Sequence, residues 1–489
     1  MVAMGQELDA RRKTIILATC CLSLLIVSMD VTILNVALPD IRRDLGASVS
    51  GLQWVIDIYT LTVASLLLLS GATADRFGRR RVFQIGLTVF AVGSLLCSLS
   101  TSVDMLIGAR FLQAIGGSML NPVAMSIITQ VFTGKQERAK AVGVWGAVVG
   151  ISMALGPIVG GVLIDTLRWQ SVFWINLPIC AAAIVLSAIY VPESKSATVR
   201  RLDPVGQVLG IVFMATIVSG LIEGPNMGWD DPRTVALFGV GVAGLVAFVA
   251  WELRHHSPFI DVRFFRSVPF STATVVGIMA FASYGAFLFL MSSYLQNVRG
   301  LSAIHAGLMY LPIAVATLAF SPLSGRLVGR HGTRPSLMCA GVLLTVGSAL
   351  LTLFTPTTPL WQVLATFFLF GMGFGLVNAP ITTSAVSGMP RERAGAASAV
   401  ASTSRQLGTS LGVAISGSVA GSAIAATGTT FTDAIAPLWW ITAGFAVAIL
   451  ALGVVSTTAW AHRTTDRIAF LFGDEEEEPD PAARVPVRV

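Results

Sequence analysis

The chain has 489 residues, 54% of them hydrophobic and 12% charged, with 47 glycines, a mean hydropathy of +0.77 and a formal charge of +6. A soluble domain carries about 25% charged residues, and one this poor in charge would expose aggregating apolar patches. A disordered chain has the opposite, polar and charged composition, which leaves an all-α polytopic membrane protein, where frequent glycine is expected.

Apolar stretches of spanning length, about 20 residues, recur along the chain. They are read at 14–38, 51–74, 82–100, 104–131, 139–164 and 170–191. A polar stretch from Pro192 to Asp203 precedes two further spans at 204–223 and 233–251, and a charged segment follows from Glu252 to Ser267. Within it, Pro258–Arg266 mixes Phe and Arg at the spacing of a short interfacial helix. Six more spans lie at 269–295, 304–325, 335–354, 361–387, 394–422 and 437–460. The runs are too long, and lack the alternation, for a β-barrel. The expected units are an N-terminal six-helix half (14–191), a two-helix insert with its connectors (192–267), a C-terminal six-helix half (268–460) and an acidic, solvated tail (461–489).

The basic residues test this count. With both termini cytoplasmic, only Arg42, Arg43, Arg168, Arg233 and Arg299 of the 32 Lys and Arg fall on outside loops, and only Arg110 and Arg405 deep inside spans, with Lys140 at the cytoplasmic edge of the fifth. All others lie inside, as the positive-inside rule requires. A missed helix would scramble every later loop, so the bias supports fourteen spans. The five cysteines, Cys20, Cys21, Cys97, Cys180 and Cys339, sit in apolar runs without metal-ligand or disulfide spacing. No basic cluster interleaved with aromatics suggests nucleic acid. The first apolar run outlasts a signal-peptide core.

Gly71-Ala-Thr-Ala-Asp75-Arg76-Phe-Gly78-Arg79-Arg80-Arg81 follows the second span, and a degenerate copy, Gly325 to Arg334, follows the second span of the last six. This loop resembles the signature of the major facilitator superfamily, whose halves are built as parallel repeats. Met29-Asp30-Val-Thr32-Ile-Leu-Asn35, Leu106 to Gly117 around Arg110 and Gln113, and Gly150 to Gly161 around Gly156, Pro157 and Gly160 resemble the first-, fourth- and fifth-helix motifs of its fourteen-helix drug:proton antiporters. Trp54-Val-Ile-Asp57-Ile-Tyr59 is similar to the second helix of quaternary-ammonium multidrug exporters of the QacA type. The resemblance covers about 14–460 and implies the major facilitator fold with two helices inserted between its halves. It also implies proton coupling and cationic-drug recognition at Asp30 and Asp57, with Arg110 taking part in proton transfer.

An acid at a helix centre costs about 2.5–3.5 kcal/mol on insertion scales, so Asp30 and Asp57 are functional candidates by default. Low dielectric favours a neutral carboxyl and a cation favours the ionised form, so one site holds a proton or a lipophilic cation but not both, which suffices for exchange. Asp57 near an outer end beside Trp54 has a bland alternative, solvation, as has Arg110, a structural cation bonded to carbonyls or Gln113. Arg405 reads equally as a counterpart of Arg110 or as packing. Glu223 reads as a rim residue. Gly156 and Gly160, spaced as GxxxG, permit close helix approach, and Pro157 adds a kink. Gly150, Gly156, Pro157 and Gly160 therefore join Gly71, Asp75, Arg76, Gly78, Arg79 and Arg80 as conformational residues, with Asp75 as an ion-pairing latch between helices. Tyr59 and Tyr284 are the aromatic candidates for stacking on a flat cation.

No GxxxxGK[ST] loop and no nucleophile or metal cluster is present, so no enzyme, cofactor or metal is expected and the coupling ion is the proton. The expected activity is proton-coupled antiport that exports hydrophobic, cationic drugs or toxic compounds across the cell membrane by alternating access, from a monomer in the bilayer. A dedicated self-resistance exporter of one endogenous antibiotic or lipid-like metabolite stays open beside it.

Overall fold

The computed structural model describes residues 9–195, 203–255, 260–387, 389, 394–421 and 428–465, and among them no strand occurs. The tail beyond Thr465, Pro258 and Phe259 lie outside the described residues. The first six helices are α1 (Ala10–Leu45), α2 (Val49–Phe77), α3 (Arg79–Ser98), α4 (Val103–Val131), α5 (Lys135–Thr166) and α6 (Ser171–Tyr190, interrupted at Ile175). Next come α7 (Pro204–Met227) and α8 (Pro232–Glu252). The last six are α9 (Val268–Val298), α10 (Ala303–His331), α11 (Thr333–Leu351), α12 (Leu360–Val386), α13 (Ala394–Ala420) and α14 (Thr429–Val455).

Every expected span holds a helix, yet twelve among the described residues are long and apolar enough to cross a membrane, and the bent α5 makes a thirteenth. The expected count of fourteen is met in position but not in apolarity, because α13 is too polar. Its polarity is hidden locally. Ser402, Ser404, Thr409, Ser416 and Ser418 each donate a hydroxyl to the carbonyl four residues back, and the helix is enclosed by α2, α7, α9, α12 and α14. Two boundaries also differ. Prolines 39 and 437 lie inside α1 and α14 rather than at their ends, since membrane helices tolerate a lost backbone donor that neighbours make good. Segment 258–266 is not an interfacial α-helix over its described part. Asp261 caps the Arg263 N–H, and Val262–Arg266 closes into a 3₁₀ turn with Phe264 buried.

The two halves repeat the same pairings. In the first, α1 packs on α4, α5 and α6, α2 on α4, and α3 on α4 and α6; in the second, α9 packs on α12, α13 and α14, α10 on α12, and α11 on α12 and α14. The halves meet along two main seams, α2 with α13 and α5 with α10, which the repeat exchanges, and more sparsely where α1 meets α9 and α10. The α7–α8 hairpin lies outside this core, with α7 resting on α2 and α13.

Hydrogen bonds fix the alternation independently of charge. Arg12 Nε donates to Tyr190 O (3.0 Å), Arg79 N to Ser194 O (2.9 Å) and Val268 N to Thr464 Oγ1 (3.0 Å). The starts of α1, α3 and α9 therefore share one end, the basic end, with the finish of α6 and of the segment after α14. At the opposite end Trp169 Nε1 donates to Asp44 (2.6 Å) and Trp54 Nε1 to Glu223 (2.7 Å). Glu223, half-buried at the end of α7, is thus a rim residue bonded to the neighbouring helix.

Candidate transport site

The two membrane acids, alike in the sequence, occupy different environments. Asp30 on α1 is 1% exposed and ion-paired to Arg110 on α4, itself 1% exposed. Gln113, one turn beyond Arg110, donates Nε2 to Asp30 Oδ1 (2.9 Å) and to Ser94 (2.9 Å) and accepts from Arg110 Nη1 (2.7 Å). Arg110 Nε donates to the Val55 carbonyl (3.2 Å), and the guanidinium carbon lies 4.3 Å from the Tyr59 ring centroid. Asp30, Arg110 and Tyr59 thus come together inside the first half, where both oxygens of Asp30 are bonded, one to Arg110 and one to Gln113.

Asp57 on α2 is fully buried, and neither carboxylate oxygen has a hydrogen-bond partner among the described residues. The hydroxyls of Ser410 and Thr60 face the carboxylate, but neither forms a hydrogen bond to it; Thr60 donates instead to the Asp57 backbone carbonyl (3.2 Å). Ser410 belongs to α13, so Asp57 lies on the seam between the halves. Four residues earlier on the same face, Gln53 donates Nε2 to the carbonyls of Val413 (2.8 Å) and Ala414 (3.0 Å). A Cβ on Gly417 would collide with the Gln53 amide. Tyr284, on α9, forms no hydrogen bond to the Asp57 carboxylate and is stacked on Phe374 within the second half (4.2 Å between centroids, 11°).

The second seam closes at the same end. The Asp165 carboxylate at the end of α5 accepts the N–H groups of Ala303 (3.2 Å) and Ile304 (2.9 Å), capping the start of α10 across the halves. Gly307 allows the backbones to touch, because a Cβ there would run into the Pro157 carbonyl. Gln296 Nε2 donates to the Val36 carbonyl (2.9 Å). Among the described residues every side-chain hydrogen bond between the halves lies toward this end; at the other, a Cβ on Gly325 or Gly329 of α10 would meet nothing.

The motif glycines divide their work. Gly156 and Gly160 face Thr32 and Ile33 of α1, within one half, while Gly150 meets Leu318 of α10. The α5 bend of 41° falls between Met153 and Leu155, at the carbonyl that the ring of Pro157 displaces. In the signature loop, Asp75 Oδ1 pairs with Arg79 Nη2 (2.9 Å) and Arg79 Nη1 donates to Gln130 (2.8 Å). This latch joins α2, α3 and α4 of one half, not one half to the other. Gly71 abuts Pro122 and Arg76 covers the Phe77 ring. Gly78 has φ +114°, and a Cβ there would meet the Glu193 carboxylate. That carboxylate accepts the N–H groups of Arg80 (3.1 Å), Arg81 (3.3 Å) and Ser194 (3.0 Å). The copy at Gly325–Arg334 forms no ion pair among the described residues.

Sequence reasoning missed Gln53, Ser410, Asp165 and Glu193. Gln53 carried a signal, the four-residue spacing to Asp57, whereas Glu193 was submerged in a polar connector. Arg405 is not the counterpart of Arg110, since the repeat pairs α13 with α5 and α4 with α12.

Comparison with known proteins accords with this architecture. The chain is 37% identical over 418 residues to the multidrug resistance protein Stp of Mycobacterium tuberculosis, covering 85% of this chain and 78% of that protein. It is 34% identical over 412 residues to the multidrug efflux pump LfrA of Mycolicibacterium smegmatis, covering 83% and 81%. A crystal structure of a bacterial homolog of the human lysosomal transporter Spinster superposes with a TM-score of 0.66 at 17% identity, over 94% of this chain and 98% of that one, a likeness of fold. The sequence profile of the Major Facilitator Superfamily matches residues 20–413, and the chain belongs to that superfamily.

Proposed function

We propose that this chain is a proton-coupled antiporter that exports hydrophobic, cationic drugs or toxic compounds from the cell. The relatives, a multidrug resistance protein and a multidrug efflux pump, support the class of activity. The observation that carries the exchange is the Asp57 carboxylate, wholly buried on the α2–α13 seam with both oxygens unpartnered. A bare buried charge costs several kcal/mol, and either a proton or an organic cation removes that cost, so each displaces the other. Asp30, already paired with Arg110, orders the first half around this seam.

The basic end is assigned to the cytoplasm, with both termini there and residues 14–191 and 268–460 as the moving halves. In the state described, Gln53, Asp165 and Gln296 then close the outer end, and the pump awaits solute from inside. One chain supplies both sides of each seam, so a monomer suffices, and no cofactor enters the cycle. The test is ethidium efflux from loaded cells with and without a protonophore. Efflux should stop with the protonophore, and Asp57→Asn should lower it at least tenfold; efflux indifferent to both refutes the reading.

A further inference from the structure

Arg405, near the middle of α13, is the opposite of Arg110. Its Nη2 donates to the Thr382 hydroxyl (2.5 Å), and its guanidinium carbon stands 5.8 Å from the Phe281 ring centroid. Its Nε is buried without an acceptor, and no carboxylate forms an ion pair with it among the described residues. Thr382 is exposed, and Arg405 and Phe281 are half-buried, so the side chain is partly reachable at its Nη2–Thr382 side while Nε lies buried behind it. Nε and Nη2 share the edge of the fork that a carboxylate grips with two parallel hydrogen bonds. A buried charged donor with no acceptor is costly, and an anionic oxygen brought by a ligand removes that cost. Beside it Phe281 meets Phe374 edge-on (5.0 Å, 64°), and Phe374 lies flat on Tyr284, an aromatic wall suited to a planar ring system.

We propose that Arg405, flanked by Thr382 and Phe281, receives a solute's carboxylate, so that the substrates include amphoteric aromatic compounds carrying both an amine and a carboxylate. Asp57 and Arg405 then take the two ends of one charge pattern. This rests on the exporter reading above and narrows its substrate class.

The test compares rhodamine B, which carries a cationic amine system and a free carboxylate, with its ethyl ester, which keeps only the cation. Both are followed in proteoliposomes under an imposed pH gradient and, by fluorescence anisotropy, on the detergent-purified protein. Arg405→Gln should lower the acid-to-ester ratio at least tenfold in both assays. Arg405→Lys should fall between, because it keeps the charge and loses the fork. A ratio within twofold of wild type in both assays, with the ester still exported by wild type, overturns the role of Arg405 and leaves the exporter reading standing. Export of neither dye by wild type overturns both. The binding arm decides the matter even where a variant has lost transport.

Discussion

Replacing each membrane acid by its amide separates the two roles. In Asp30→Asn the carboxylate disappears while Arg110, 1% exposed, keeps its charge. Breaking one side of a buried pair costs about 3–5 kcal/mol, because the remaining ion is uncompensated. The loss should sit near the upper figure, since Gln113 and Arg110 donate to different oxygens of the carboxylate and an amide, with one oxygen, cannot accept from both. Asp57→Asn removes a group that bonds to nothing, so stability should change by less than about 1 kcal/mol, or rise. Replacing both members of the pair, Asp30→Leu with Arg110→Met, should recover most of the first loss, as hydrophobic substitution of whole buried pairs does elsewhere. The measurement is unfolding of the purified protein in a detergent titration, read by intrinsic tryptophan fluorescence, with the coupling taken from the double-mutant cycle. Equal destabilisation by Asp30→Asn and Asp57→Asn, or a double variant no better than the single, refutes the division of the acids into a paired and a lone one.

Two further outcomes concern the closed end. Gln53→Ala deletes two neutral hydrogen bonds across the α2–α13 seam, worth about 0.5–1.5 kcal/mol each; spin labels at Arg43 and Ser302 should report a larger share of molecules opened there, and an unchanged distance distribution counts against the clamp. Gly307→Val places a side chain against the Pro157 carbonyl, so it should open the α5–α10 seam and lower ethidium export more than tenfold, whereas Gly325→Val, where a Cβ meets nothing, should not. Similar effects at both sites remove the argument for backbone contact.

The placement of the helices was legible because a bilayer demands long apolar runs whatever the tertiary contacts. Where the reading faltered, at α13 and at prolines 39 and 437, neighbouring helices and serine hydroxyls do the work that apolarity or an intact backbone does elsewhere. The acid–guanidinium contact was partly legible, since Arg110 and Gln113 lie one turn apart and face one direction. What Asp30 and Asp57 do not share was hidden, because they stand on different helices and their relative phase depends on packing across a seam. Spacing on α2 alone holds the useful clue. Gln53 and Asp57 form a stripe, and Ser410, Ala414 and Gly417 form the facing stripe on α13, but the second is recognisable only once the first has found its partner. Asp165 is harder still: a carboxylate that caps a helix of the other half leaves no local pattern.

The repeat copies backbone pairings between the halves without copying charge. The first half holds one acid spent on Arg110 and one unspent at the seam, and the second holds Arg405, which no acid pairs among the described residues. If Asp57 alone exchanges a proton for the solute, then a monovalent cation leaves as one proton enters and no net charge moves. A zwitterion held by Asp57 and Arg405 carries none, so the same proton now moves one charge across the membrane. One charge is worth about 2.3 kcal/mol per 100 mV, about fifty-fold in accumulation at 1.36 kcal/mol per decade. A potassium–valinomycin potential, inside negative, should therefore leave efflux of rhodamine B ethyl ester from cells unchanged, whereas it should drive rhodamine B efflux. Efflux of the ester that also rises with the potential, by one charge against two for rhodamine B, would mean that a second group, with Asp30 the nearest candidate, carries a proton as well, and that the pair with Arg110 opens during the cycle.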